Sequence, residues 1–152
     1  IVSLQSDRSF DSWAGALDRA DYDRFVKPHT TAVFSQLAEL HPGIAGIHYG
    51  IGCDHLLESM NTVGNSVIGL DWRTPISRAR VRLGADTVVQ GNLDPVLMNT
   101  TPEIVRREAE RLLGAMRGTR GHIFNLGHGI MPHAKIECMQ ALVDTVTGWK
   151  NG

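Results

Sequence analysis

The chain alternates between short apolar runs and longer stretches in which apolar side chains recur at helical spacing. The apolar runs are rich in β-branched residues, and each is short enough to be one buried strand. They are Ile1 to Leu4, Ile44 to Tyr49, Ser66 to Leu70, Thr87 to Val89 and Gly121 to Leu126. A strand–helix alternation repeated about five times predicts right-handed βα units and a parallel sheet.

Helices are expected between these runs. The first predicted helix, from about Arg19 to Leu40, contains Pro28, which should kink or divide it. Thr101-Pro102-Glu103 is a typical helix start. The remaining predicted helices are Asp54 to Thr62, Ile76 to Leu83, the segment from this start to Leu113, and Ile136 to Val146.

Polar clusters follow the predicted strands rather than precede them. They are Asp11-Ser12-Trp13, His48, Asp71-Trp72-Arg73, Gln90 to Pro95 and Asn125 to Gly129. In a (β/α)8 barrel, several strands typically bring polar groups to the rim at the C-terminal face. An open doubly wound sheet is the alternative. Nucleotide-binding functions lose support because no Gly-x-Gly-x-x-Gly or phosphate-binding loop motif occurs.

The fold class we predict is therefore α/β, the C-terminal portion of a (β/α)8 TIM barrel with about five βα units. A full barrel needs about 250 residues. Residues 1–152 should accordingly form a single partial domain, and a chain that opens inside an apparent strand should belong to a longer protein.

Composition narrows the possible partners and the setting. Fifteen basic and sixteen acidic residues give a net charge of −1, so no overall field attracts nucleic acid or an anionic membrane. No apolar run approaches the length of a membrane span. Cys53 and Cys138 are far apart and lack metal-binding spacing, which favours a reduced cytoplasmic setting.

The most informative single residue is His128, which stands between Gly127 and Gly129 at the tip of the last predicted strand. A histidine at such a tip, with glycines that let another molecule come close, is typical of a ligand-facing group. A histidine satisfied within its own loop is the alternative.

Four motifs, taken in order, resemble the uroporphyrinogen decarboxylase family. They are Phe10-Asp11-Ser12-Trp13-Ala14-Gly15, Gly69-Leu70-Asp71-Trp72, Gln90-Gly91-Asn92-Leu93-Asp94-Pro95 and Asn125-Leu126-Gly127-His128-Gly129. The resemblance implies a (β/α)8 barrel that removes the carboxyl groups of the four acetate side chains of uroporphyrinogen, giving coproporphyrinogen. It also implies that no metal or organic cofactor is needed, and that the protein is a cytoplasmic homodimer.

The resemblance assigns substrate binding to Ser12, in the family's Phe-(Asp/Glu)-Ser-x-Ala-Gly segment, and to His128, in its Asn-Leu-Gly-His-Gly segment. Phe10 falls at an aromatic position that lines the same cleft. The family's remaining groups, an arginine-rich loop, an aspartate that holds the pyrrole nitrogens and a tyrosine, precede the matched motifs and are not in this chain. No catalytic residue is therefore assigned within it.

Structural interpretations compete with these functional ones. Ser12 could cap the turn that follows it. Asp71 could form a structural pair with Arg73, and we leave both outside the predicted site. The segment Gln90 to Pro95 could touch a ligand, but its Asn-Leu-Asp-Pro portion favours a turn at the barrel rim.

Two other functions remain open. A truncated, inactive barrel fragment would bind only a tetrapyrrole or a complementary half, because an unclosed barrel exposes strand edges. A zinc- and corrinoid-dependent methyltransferase would share the barrel, and His48, Cys53 and His55 are its conceivable ligands. Their spacing fits neither a structural zinc site nor a helical histidine pair, and His48-Tyr49-Gly50 lacks the His-x-Cys pair of those enzymes. No metal is therefore predicted.

Overall fold

A computed structural model describes residues 6–150, without the side chains at positions 6–8 and 10. Its strands are β1 (Ser6–Asp11), β2 (Ala45–Gly50), β3 (Val67–Gly69), β4 (Val88–Leu93) and β5 (His122–Leu126). They form one parallel sheet of five strands in the order β1-β2-β3-β4-β5. This sequential order confirms the predicted partial (β/α)8 barrel and excludes the doubly wound alternative, in which strand order reverses.

Helices follow every strand. They are α1 (Arg19–Asp21), α2 (Lys27–Leu40), α3 (Leu57–Met60), α4 (Ile76–Leu83), α5 (Pro102–Ala115) and α6 (Ile136–Gly148), with short 3₁₀ turns at Ala14–Ala16, Asp54–Leu56 and Pro95–Asn99. The irregularity predicted near Pro28 takes the form of a π-helical turn, Tyr22–Val26, directly before α2. Pro28 lies two residues after this turn, within helical backbone that runs unbroken from Arg19 to Leu40, so its missing N–H removes one hydrogen bond from the helical ladder.

The hydrophobic core lies between the sheet and its helices. Its largest fully buried apolar side chains include Leu56, Met60 and Ile68 beside Met98 and Val105. Even-numbered positions of β2 and β3 face this helical layer, so odd-numbered positions face the opposite side of the sheet. That opposite side would be the interior of a barrel.

One predicted strand is not tested by the structure, and one predicted turn needs correction. The predicted strand Ile1 to Leu4 lies outside the described residues, and the first described strand is the polar segment Ser6–Asp11, which no apolar run marked. The predicted rim turn at Asn92 and Leu93 is wrong, because β4 continues to Leu93 and the turn begins only at Asp94, whose carboxylate accepts from the Val96 N–H.

No helix among residues 6–150 is long and apolar enough to cross a membrane.

Candidate functional site

A cleft of about 540 Å³ opens on the side of the sheet away from the helices, toward the carboxyl ends of the strands. Side chains from β2 to β5 and the segments after β1 and β5 line it: Ser12, Ile47, Tyr49, Ile51, Gly69, Leu70, Gln90, Asn125, Leu126, His128, Gly129 and Ile130. The cleft combines apolar walls with several polar side chains, a mixture typical of small-molecule sites. It brings Ser12 and His128, two of the predicted site residues, to one cavity.

The strand register sets the floor of this cleft. Tyr49, Gly69, Gln90 and Ile123 are direct partners on successive strands, so they form one row on the same face. Phe10 is in register with Tyr49 at the β1 end of that row. The predicted role of Phe10 concerns its side chain, which lies outside the described part of the structure.

Tyr49 crosses the floor from β2 toward the tip of β5. A Cβ atom at Gly69 would stand 2.9 Å from the Cβ and Cδ2 atoms of Tyr49, so the phenol ring lies over a position where only glycine fits. The Tyr49 hydroxyl donates to the carbonyl of Gly127 at 2.7 Å. Burial, assisted by the negative charge of Asp71, raises the pKa of Tyr49 to about 12, so the hydroxyl stays protonated as a donor.

His128 stands at the cleft mouth, against Trp72. The two rings meet edge to face, with centroids 5.9 Å apart and an interplanar angle of 78°. A Cβ atom at Gly127 would overlap the backbone nitrogen of Trp72, so the glycine before His128 allows the two loops to touch. His128 itself is exposed to the cleft, which leaves its ring nitrogens accessible to a ligand.

The buried carboxylate of Asp71 holds the loop after β3 in place. Asp71 is 1% exposed at its side chain and pairs with Arg73, with 3.5 Å between Oδ2 and Nε. The Asp71 carboxylate also accepts from the backbone N–H groups of Gly52 and Arg73. The guanidinium of Arg73 lies 4.5 Å from the centroid of the Trp72 ring. The structural interpretation of Asp71 as the partner of Arg73 is confirmed, and these contacts hold the loop that carries Trp72.

Ser12 is held at the opposite edge of the cleft by its neighbours. The carboxylate of Asp11 accepts from the backbone N–H groups of Trp13, at 3.1 Å, and Ala14, at 2.8 Å. Asp11 therefore supplies the side-chain cap of the turn that contains Ser12. The Ser12 side chain is exposed and lines the cleft.

His48 does not lie at the rim, contrary to the sequence interpretation. It is inside β2, 1% exposed, and its side chain faces the helical layer, with Nδ1 3.3 Å from the carbonyl oxygen of Met60 and the ring 5.7 Å from that of Phe34. Burial lowers the pKa of His48. The residue is a core histidine, placed opposite Tyr49 by the two-residue period of a strand.

The other conceivable zinc ligands are also separated from one another. Burial raises the pKa of the Cys53 thiol to about 12, which disfavours the thiolate that a metal requires. His55 Nε2 lies 2.8 Å from the carbonyl oxygen of Leu17. Within residues 6–150 no group of three or more His, Cys, Asp or Glu side chains could hold a metal ion.

Sequence reasoning missed the cleft residue Tyr49, and it placed Gln90 only in a segment that could touch a ligand. Tyr49 was counted in an apolar run, and Gln90 was placed in a loop segment rather than a strand. The two-residue alternation of side chains along a strand was the available signal, because it places Tyr49 on the same face of β2 as Ile47. Gln90 on β4 lines the same cleft as these two residues. Gln90 is 8% exposed, and its Oε1 atom is buried without a hydrogen-bond partner among the described residues.

Known proteins match this chain in sequence and in structure. The sequence profile described as uroporphyrinogen decarboxylase (URO-D) matches residues 5–149. A uroporphyrinogen decarboxylase from Salinispora tropica is 46% identical over 134 residues, covering 88% of this chain and 36% of that protein. One from Thermus thermophilus is 47% identical over 137 residues, covering 90% of this chain and 39% of that protein.

Among solved structures, a methyltransferase from Methanosarcina mazei superposes with a TM-score of 0.77 at 17% sequence identity. The match covers 93% of this chain and 41% of that one. At this identity the likeness concerns the fold alone.

Sequential parallel strands with a cleft at their carboxyl ends define this chain as part of a βα-barrel protein. Because the family profile spans nearly its whole length, the chain belongs to the uroporphyrinogen decarboxylase family. It spans about two fifths of the length of the curated relatives it matches.

Proposed function

We propose that this chain forms one wall of the cleft in an enzyme that converts uroporphyrinogen to coproporphyrinogen by removing the carboxyl groups of four acetate side chains. Family membership supports the reaction. The observation that carries the assignment to this cleft is that Ser12 and His128, matched to the family independently of the structure, line the same cavity. The proposed reaction uses no metal or organic cofactor.

The substrate's many carboxylates explain why the cleft would use these residue types. A serine hydroxyl donates one hydrogen bond to a carboxylate, and a histidine donates one or two according to its protonation state. Decarboxylation at a pyrrole also needs a cationic ring that receives the electrons released with carbon dioxide. Ser12 and His128 would bind and orient the substrate, while groups outside this chain stabilise that cation.

The separation of the two residues suits a broad ligand. Ser12 follows β1 and His128 follows β5, so four strand intervals, about 19 Å measured along the sheet, lie between their strands. Curvature of the sheet brings the two tips closer than this path. A macrocycle with acidic side chains around its rim could contact both, whereas a small metabolite could contact only one.

The proposal extends to the organisation of the protein. Residues 1–152 would be a single partial domain, completed by preceding strands of the same barrel. The complete enzyme would act in the cytoplasm as a homodimer.

A second candidate is a fragment that binds a tetrapyrrole or a complementary half without catalysis. The five described strands leave β1 and β5 as sheet edges, and Ile123, on the cleft side of β5, is 38% exposed. Such a fragment would need another chain to cover these surfaces.

A chimera tests the proposed reaction. It joins the residues that precede the matched segment in the Thermus thermophilus relative to this chain, and is called the chimera below. Incubated anaerobically with uroporphyrinogen and a chelator, it should form coproporphyrinogen. A chimera that folds and binds uroporphyrinogen without converting it would favour the second candidate, and one that folds without binding would contradict both.

A further inference from the structure

The described residues that line the cleft include no lysine or arginine. The proposed ligand carries many carboxylates, whereas Ser12 offers a neutral hydroxyl and the charge of a histidine depends on pH. Hydrogen bonds from a guanidinium to a carboxylate are stronger than those from neutral donors, and two can form side by side. One guanidinium, that of Arg73, lies close to the mouth of the cleft.

Two neighbours place the Arg73 guanidinium at the cleft mouth. It lies against the ring of Trp72, 4.5 Å from the centroid, and the same ring meets the imidazole of His128, which lines the cleft. In addition, Nη1 of Arg73 lies 4.0 Å from the position that a Cβ atom would take on Gly52. Gly52 directly follows the lining residue Ile51. The guanidinium therefore stands beside the loops that follow β2 and β3, at the rim of the cleft.

The charge of Arg73 also acts inside the cleft. Burial and the negative charge of Asp71 raise the pKa of Tyr49, and the positive charge of Arg73 opposes them. Tyr49 forms part of the cleft floor. A carboxylate that entered the cleft near the Tyr49 ring would be attracted by the same positive charge.

The Arg73 guanidinium is held in place, but its hydrogen-bonding capacity is not used. Its Nε atom lies 3.5 Å from Oδ2 of Asp71, which is longer than a usual N–H to oxygen hydrogen bond. The Asp71 carboxylate accepts instead from the backbone N–H groups of Gly52 and Arg73. Among the described residues none accepts a hydrogen bond from the guanidinium, and the Arg73 side chain is 53% exposed. Both Nη groups are thus available to a carboxylate in a bidentate arrangement.

We infer that Arg73 is a further binding residue of the cleft, and that its Nη1 and Nη2 groups donate to one carboxylate of the ligand beside His128. The inference rests on the proposed function, because uroporphyrinogen supplies the carboxylates. The direction of the contact is fixed, since a guanidinium only donates and a carboxylate only accepts. Asp71 and Trp72 would hold the guanidinium before the ligand arrives, which lowers the ordering cost of binding.

Two substitutions of Arg73 in the chimera separate its charge from its shape. Arg73→Gln removes the charge, and Arg73→Lys keeps the charge without the planar fork. Arg78→Gln is the matched control, because Arg78 is an exposed arginine of α4, in the helical layer, and pairs with Asp54 at 3.3 Å. It removes the same charge on the side of the sheet away from the cleft.

Binding of uroporphyrinogen is measured by anaerobic equilibrium dialysis at low and at high salt, with the ligand quantified after oxidation to the porphyrin. At about 0.05 M salt, Arg73→Gln should raise Kd roughly fivefold, the upper range for a half-exposed ion pair. This ratio should shrink at about 0.5 M salt, because salt screens charges at a rim. Arg73→Lys should stay within about twofold of the unsubstituted chimera, since the charge remains. Arg78→Gln should leave Kd unchanged at both salt concentrations. The ligand-free Tm of each variant shows that it is folded.

Unchanged binding by Arg73→Gln would overturn the inference. A loss of the same size at both salt concentrations would also overturn it, because Arg73 would then act only by holding the loop after β3. An equal loss in Arg78→Gln would contradict it as well, since net charge rather than the position of Arg73 would govern binding. Failure of the unsubstituted, folded chimera to bind uroporphyrinogen would instead count against the proposed function itself.

Discussion

The hydroxyl of Tyr49 donates a 2.7 Å hydrogen bond to the carbonyl of Gly127, the residue directly before His128. This contact joins the carboxyl end of β2 to the residue just after β5, across the two intervening strands. Because Gly127 also touches the backbone of Trp72, the peptide that carries His128 is fixed from two sides. His128, an exposed cleft residue, is thus positioned by residues that were not themselves predicted as site residues.

Removing this hydrogen bond should cost stability. Tyr49→Phe leaves the ring in place over Gly69 but removes the donor, so we expect the free energy of unfolding to fall by about 1 kcal/mol. Urea unfolding measures the change, and amide hydrogen exchange should show faster exchange in the segment around Gly127.

Tyr22→Phe is the matched control for this substitution. The Tyr22 hydroxyl is buried without a hydrogen-bond partner among the described residues, so its removal should be neutral or stabilising. Equal destabilisation by both substitutions would contradict the assigned role of the Tyr49 hydroxyl.

The glycine beneath the Tyr49 ring should not tolerate a side chain. In Gly69→Ala the new Cβ would meet Tyr49 atoms at 2.9 Å, and displacing the ring should cost about 1–3 kcal/mol. Gly114→Ala is in α5, where a Cβ atom would meet nothing within 4 Å apart from its chain neighbours and the backbone of its own helix, and it should instead stabilise the helix by up to about 1 kcal/mol. Chemical unfolding of the two variants measures the change in the free energy of unfolding for each. If Gly69→Ala is no more destabilising than Gly114→Ala, Tyr49 does not pack over Gly69.

Stability should fall in mild acid because of His48. Its pKa is lowered in the folded state by burial, so below the unfolded value of about 6.5 the unfolded chain binds a proton that the folded chain resists. The contribution is fully present above that pH and is lost progressively below it. Burial lowers the pKa of His122 as well, and its effect has the same sign.

Unfolding free energies measured from about pH 8 to about pH 5 test this effect, because this interval brackets the ordinary histidine pKa. His48→Gln should flatten the dependence, whereas substitution of the exposed His133 by Asn serves as the control. A slope that does not change in His48→Gln would show that His48 is not the buried group responsible.

The sequence predicted the βα alternation well because four of the five described strands are apolar runs between amphipathic segments. It could not predict which face of a strand points to the cleft. Strands buried on both sides carry apolar residues on both, so the run from Ile44 to Tyr49 did not distinguish His48 from Tyr49. The facing direction is decided by register with β3, a relationship between distant parts of the chain.

The missed first strand and the misplaced end of β4 each have a cause in the sequence. Ser6–Asp11 contains no apolar run, so the sequence pattern did not mark it as a strand. Its backbone nevertheless pairs with β2 along the whole segment. Gln90 follows the apolar residues Val88 and Val89, and its polarity suggested that the strand had ended. In fact β4 continues to Leu93, since Asn92 is satisfied by donating to the carbonyls of Asp71 and Thr74.

The most direct test of the central claim is uroporphyrinogen binding by the chimera carrying Ser12→Ala or His128→Asn. Ser35→Ala and His133→Asn, at exposed positions away from the cleft, are the matched controls. Each cleft substitution should raise Kd by roughly three- to tenfold with Tm unchanged, as expected for one lost hydrogen bond, while the controls bind normally. Cleft variants that bind as tightly as the controls would contradict the claim that this cleft holds uroporphyrinogen.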